Sequence, residues 1–149
     1  MRLTQAFNIS GPDGDGRTSG DITLLNNTAI DNGTMGNFVR VGGHVNGIVM
    51  KNNVFVAPNL ATGSHSAGAV NVIESNLNSF TSITGNLWPA ASGNGGGENL
   101  VGSDYKTGSE WNSYSQVSDD TFENVGFNGD TYQISLGSLT AGSDLAMAA

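Results

Sequence analysis

Arg40, His44 and His65 are the residues of this chain best suited to hold or move charge in a reaction. His44 and His65 are its only histidines, and an imidazole titrates close enough to neutrality to accept and return a proton. His44 lies four residues beyond Arg40, and His65 lies just ahead of a strand carrying Asn71. If those strands are neighbours, both rings approach the guanidinium. The competing reading is of two loop histidines with no role. A second candidate is GPDGDGRTSGD at 11–21, which spaces Asp13, Asp15 and Asp21 among glycines. Carboxylates on a tight turn suit a hard cation, and calcium is the cofactor such a turn would hold. No Glu closes the loop, so it is not an EF-hand, and an ordinary Asp-Gly turn stands as the alternative. The chain has no cysteine, which rules out a thiolate nucleophile and a Cys-based zinc site.

These residues need strands to position them. AFNIS at 6–10, NFVRVGG at 37–43 and GAVNVIE at 68–74 alternate apolar and polar residues. That period of two sends Phe7 and Ile9, Val39 and Val41, and Val70 and Val72 inward. Asn8, then Phe38 and Arg40, then Asn71 and Ile73 are expected to point outward, with Glu74 at the end of the third segment. Laid side by side, the strands form an outward row of Asn8, Arg40 and Asn71.

Between them runs a second repeat: DITLLNNTAI at 21–30, GIVMKNNVFV at 47–56 and TSITGNLWPA at 81–90. Aligned on the second amide, Asn27, Asn53 and Asn86 coincide, as do Leu24, Met50 and Ile83 three residues earlier. Ile22, Ile48 and Thr81 fall two before those. A sharp bend between sheets needs a residue that tolerates positive φ, and Asn and Gly are the best choices. Stacked Asn side chains would hydrogen-bond from coil to coil and satisfy the amides that the bend buries. Repetition of strand, turn, strand, Asn turn and short strand is the signature of a solenoid. The reading is an all-β, right-handed, single-stranded parallel β-helix of three to four coils over residues 1–104. Residues 105–149 then form a C-terminal capping tail, whose Trp111, Phe122, Tyr132, Ile134 and Leu136 cover the open apolar end.

Composition agrees. The 149 residues include 22 Gly but only 12% charged residues, and the net charge is −8 with five basic side chains. Gly, Asn, Ser and Thr disfavour helix interiors and favour strands and turns. Without a basic stripe, a nucleic-acid partner is not expected. No segment approaches the roughly 18 apolar residues of a membrane-spanning helix. MRLTQAFNIS lacks an apolar h-region, so it does not read as a secretory signal. Abundant amides and hydroxyls suit contact with sugars at an extracellular or cell-surface location.

The coil motifs ITLLNNTAI and IVMKNNVFV resemble those of the pectate-lyase-like superfamily of right-handed parallel β-helix proteins. TFENVGFNGDTYQISLGSLTAGSDLA at 121–146 is similar to the closing segment of many bacterial β-helix proteins. It departs from that pattern by a Thr between Asp130 and Tyr132, and by Leu136 and Leu139 where prolines are usual. The resemblance implies that substrate lies along the outer face of the Arg40 strand. In such lyases a basic residue removes the proton α to a uronate carboxylate, or neutralises that carboxylate. On that model Arg40 and His44 carry catalysis, and Asn8, Asn71, Glu74 and His65 bind a polysaccharide. The calcium-dependent members also need several acidic residues on this sheet, where Glu74 and Asp104 alone stand. Two functions follow as expectations: the C-terminal portion of a secreted, polysaccharide lyase-like protein, or a non-catalytic structural, adhesive or filament-forming β-helix. In either, the first coil exposes Leu3, Phe7 and Ile9, and either an upstream segment or self-association is expected to cover it.

Overall fold

A computed structural model describes residues 5–11, 20–30, 37–56, 69–89, 99–123, 127–128 and 133–134. The chain winds as a parallel β-helix of four coils. The first coil is β1 (Gln5–Ile9), β2 (Thr23–Leu25) and β3 (Thr28–Ile30); the second is β4 (Asn37–Val41), β5 (Ile48–Lys51) and β6 (Val54–Val56). The third is β7 (Val70–Val72), β8 (Phe80–Thr84) and β9 (Leu87–Trp88). The fourth begins with β10 (Asn99–Val101), doubles back through β11 (Asp104–Lys106), turns through the short helix α1 (Gly108–Trp111), and closes with β12 (Val117–Ser118) and β13 (Thr121–Phe122). A separate hairpin pairs β14 (Phe127–Asn128) with β15 (Gln133–Ile134).

Three sheets result, ordered β1-β4-β7-β10-β11, β2-β5-β8-β12 and β3-β6-β9-β13. All pairings within them are parallel except β10 with β11. Consecutive coils therefore stack like on like. Leu24 pairs with Met50, Met50 with Ile83, and Ile83 with Val117. Met50 and Val41, expected at the centre of the second coil, are both fully buried. The expected alignment of Ile48 with Thr81 gives way to a register shift that pairs Ile48 with Phe80. The larger apolar ring fills the interior, and Thr81 is exposed.

Phe38 is another correction. Alternation along β4 predicts that it points outward beside Arg40, yet it is buried with its ring 5.2 Å from that of Phe55. The N–H groups of Phe38 and Val39 both donate to the Ala69 carbonyl, at 2.8 and 3.2 Å. This local irregularity breaks the period of two and admits both neighbours to the core.

The corner after the second strand of each coil sits in the left-handed region: Asn26 at φ 53°, Asn52 at 53°, Gly85 at 63° and Asp119 at 58°. The following residue turns its side chain inward and builds the expected ladder. Asn27 donates through Nδ2 to Asn53 Oδ1 at 2.9 Å, and Asn53 donates to Asn86 Oδ1 at 2.8 Å. Asn53 also caps the Leu24 carbonyl at 2.9 Å. Replacing it with Leu strands these partners in a dry corner, at a cost of about 1–3 kcal/mol. Asn53→Leu should therefore lower the chemical-denaturation midpoint clearly more than Asn78→Leu, whose side chain is exposed. Equal effects of the two would remove the ladder from the account of stability. The Gly-rich stretch around Asn94 lies outside the described residues.

The coil pattern runs on past residue 104. Val117-Ser118-Asp119-Asp120-Thr121-Phe122 repeats the geometry of Met50-Lys51-Asn52-Asn53-Val54-Phe55, with acidic residues in place of amides. Trp111 fills the interior of this last coil and is fully buried. Its helix is set by a capping box: the Thr107 side chain accepts from the Glu110 N–H at 3.4 Å, and Glu110 Oε2 accepts from the Thr107 N–H at 2.8 Å. These bonds to Thr107 hold the Glu110 carboxyl below its ordinary range. Of the other apolar residues expected in the cap, Tyr132 and Leu136 lie outside the described residues.

Candidate functional site

The outer face of the five-stranded sheet brings together the side chains that the alternation of β1, β4 and β7 places outward. Asn8 is in register with Arg40, and Arg40 with Asn71. The Arg40 Nη1 donates to Asn8 Oδ1 at 3.4 Å, a long contact on an exposed surface. The row continues through Leu100, paired with Asn71, and Tyr105, paired with Leu100 across the β10–β11 hairpin. At the strand spacing of a sheet it spans roughly 19 Å. Ile73, just beyond Asn71, is exposed on the same side of the coil.

This row can hold an extended ligand by its polar groups. Asn8 and Asn71 each offer donors and an acceptor, and Arg40 offers a fixed positive fork that matches a carboxylate. Tyr105 adds a ring and a hydroxyl at the hairpin end. Sequence reading missed Leu100 and Tyr105 as members of the row, because nothing local announces that the chain doubles back there. The Gly102 corner at φ 64° is the one available signal.

The other candidates fall elsewhere. His44 is exposed at the corner following β4, with a left-handed φ of 60°. Its carbonyl packs so closely on Gly11 that any β-carbon at Gly11 would collide with it. No hydrogen bond joins His44 to Arg40. Glu74 belongs to the loop after β7, where its Oε2 accepts from the Ser79 hydroxyl at 3.3 Å, and it makes no ion pair with Arg40. Asp21 is exposed at the corner leading into β2, at φ 59° and beside Gly47. His65, Asp13 and Asp15 lie outside the described residues. Among the described residues, no three His, Asp or Glu side chains converge as a metal cage would require.

A buried carboxylate was not foreseen at all. Asp120 occupies the fourth rung of the ladder and is almost wholly enclosed. Its Oδ1 accepts from the Asn86 N–H at 2.8 Å and from Asn86 Nδ2 at 3.0 Å. Its Oδ2 accepts from the indole N–H of Trp88 at 2.7 Å and of Trp111 at 2.9 Å. Burial pushes the carboxyl above its usual range, against the pull of the hydrogen bonds from Trp111, Trp88 and Asn86. The group faces the interior and not the outer row, so it is a structural keystone. The signal was the alignment of Ser118-Asp119-Asp120 on the earlier Asn corners. Comparison of the chain with family models, with curated proteins and with solved structures finds no match in any of the three.

Proposed function

We propose that this chain is a carbohydrate-directed β-helix protein that engages an extended, uronate-containing polysaccharide along the outer face of its five-stranded sheet. The observation that carries this reading is the in-register row Asn8–Arg40–Asn71 on three consecutive strands. Neighbouring strands lie about 4.8 Å apart, so an extended chain laid across them meets one strand after another. The amides bind hydroxyls, and Arg40 pairs with a carboxylate. The kinship to pectate-lyase-like proteins, the extracellular location and a lyase-type reaction belong to the same proposal. In it Arg40 neutralises the uronate carboxylate, which acidifies the α-proton, while a base such as His44 or His65 would accept that proton.

A non-catalytic reading has its own support. A guanidinium, as a planar fork of donors, serves as a clamp more readily than as a base. No base contacts it among the described residues. Affinity electrophoresis in gels with pectate, alginate and a neutral glucan, with absorbance monitored for unsaturated products, distinguishes the outcomes. Retardation by an acidic polymer is expected, with loss of at least tenfold in affinity for Arg40→Ala, about 1.4 kcal/mol or more. Product formation would establish the lyase; retardation without product would leave a binding protein. Indifference to all three polymers would defeat the proposal.

A further inference from the structure

Asparagines stand at the corners of the first three coils, and asparagine is a chemically labile residue. If the nitrogen of the following residue attacks the side-chain Cγ, the amide is lost and the backbone is rewritten. Two conditions open that path. The amide and the following N–H must be held by no partner, and the following residue must have no β-carbon to crowd the attack. The ladder corners fail both. Asn26 is followed by Asn27, whose N–H donates to Asn53 Oδ1 at 3.0 Å, and Asn52 by Asn53, whose N–H donates to Asn86 Oδ1 at 3.0 Å. Asn53 and Asn86 precede Val54 and Leu87, whose N–H groups each donate to a carbonyl at 2.8 Å. Asn112 precedes Ser113, whose N–H donates to the Glu110 carbonyl at 3.2 Å.

Asn46 meets both conditions. It is exposed at the corner between β4 and β5, and Gly47 follows it at φ 72°. Among the described residues, neither its side-chain amide nor the Gly47 N–H has a hydrogen-bond partner. The side chain lies against the first coil, where a β-carbon on Gly20 would stand 2.7 Å from Asn46 Oδ1. A β-carbon on Gly47 would stand 2.9 Å from the Asp21 nitrogen and 3.1 Å from Asp21 Oδ1. The left-handed backbone and the closeness of the first coil thus both require glycine at position 47. The fold demands, after Asn46, the one residue that crowds the attack least.

We propose that Asn46-Gly47 is a self-modification site, where the joint between the first two coils ages by succinimide formation. The Gly47 nitrogen bonds to Asn46 Cγ, the Cγ–Nδ2 bond breaks, and the Gly47 proton leaves with the side-chain nitrogen as ammonia. Water then opens the ring at either carbonyl, giving aspartate or isoaspartate. Isoaspartate sends the main chain through the former side chain and lengthens the link from β4 to β5 by one methylene. The chain is pinned directly beyond Gly47, by the Ile48 N–H on the Ser79 carbonyl at 3.0 Å and the Val49 N–H on the Ile22 carbonyl at 2.8 Å. The extra length therefore strains the stacking of the coils. Either product also sets a new carboxylate near that of Asp21, and like charges at close range repel.

Incubation of the full chain at mildly alkaline pH, followed by peptide mapping with isoaspartate detection, tests this. The Asn46 peptide is expected to convert to a mixture of isoaspartate and aspartate, at a pace close to that of the free peptide 44–49. Asn26, Asn52, Asn53 and Asn86 are expected to remain amides over the same time. Asn46→Gln should stop conversion at this position, because the longer side chain closes its ring far more slowly. On ageing, the urea midpoint of the parent should fall further than that of Asn46→Gln, which keeps every other asparagine. An Asn46 that persists while the free peptide converts would overturn the proposal. So would conversion of the ladder amides at the same pace, or equal falls in the midpoints of parent and variant.

Discussion

Asp120→Leu is expected to lower stability by about 3–6 kcal/mol, since each buried donor left without an acceptor costs roughly 1–3 kcal/mol. Four donors converge on this carboxylate: two from Asn86 and one each from Trp88 and Trp111. None of them can accept, so a leucine satisfies none. Asp120→Asn should fall between the two. Its Oδ1 can still receive both Asn86 donors, as at every earlier rung, but its NH₂ group would face two indole N–H groups. Urea unfolding followed by tryptophan emission measures the series, and both tryptophans of the chain contact the altered atom. A leucine variant as stable as the parent would show that the two indoles find other acceptors.

The same group gives a pH dependence whose sign can be worked out. Burial raises the Asp120 carboxyl above its ordinary value in the folded chain. Between the ordinary and the raised value, the folded state keeps a proton that the unfolded state has lost. Stability therefore falls as pH rises through that window. Asp120→Asn removes this contribution, so the difference in stability between parent and variant should change across the window and be flat above and below it. The many other carboxylates titrate in both proteins and cancel in the difference. A difference that is constant throughout would mean that the carboxyl has the same affinity for protons in both states.

Trp88→Ala is the second large effect, expected at about 3–5 kcal/mol for truncation of a buried aromatic. Trp88 stacks on Phe55 with ring centroids 4.6 Å apart and planes 5° from parallel, and meets Trp111 edge-on at 6.2 Å. It is the link between the aromatic column of the second coil and the closing coil. Trp88→Phe keeps the ring stacking and loses the indole bond to Asp120, which should cost about 1–3 kcal/mol. Calorimetric unfolding of the two variants separates packing from hydrogen bonding. If phenylalanine cost as much as alanine, the hydrogen bond to Asp120 would dominate and the stacking would count for little.

Much of the coil architecture was legible because it is local and repeated. Positive φ at Asn26 and Asn52 demands Asn or Gly, and Gly85 meets the same demand one coil on. Once those corners align, Asn27, Asn53 and Asn86 have to stack. The outward row Asn8–Arg40–Asn71 followed from period-two alternation within three short strands, and registry of the coils completed it. The chemistry of that row, and whether it meets a sugar, was not written in the strands themselves. A side chain's direction can be read locally, but its partner belongs to another molecule.

Four features were decided by tertiary structure alone. Phe38 turns inward because two neighbouring N–H groups share the Ala69 carbonyl, a contact made across 31 residues of sequence that no local pattern contains. The chain doubles back after Val101 and brings Tyr105 onto the end of the outward row. Asp119-Asp120 looks like a solvated acidic turn in sequence, yet the ladder and two indoles make Asp120 a buried acceptor. The polarity of the ladder, with each amide donating toward Asp120, emerges only when the donors and acceptors of the four coils are followed together. Sequence by itself determined what repeats, because backbone dihedrals and side-chain alternation act within a few residues. Tertiary structure decided what ends the repeat, because desolvation and hydrogen-bond balance depend on which groups from distant coils share the same dry space.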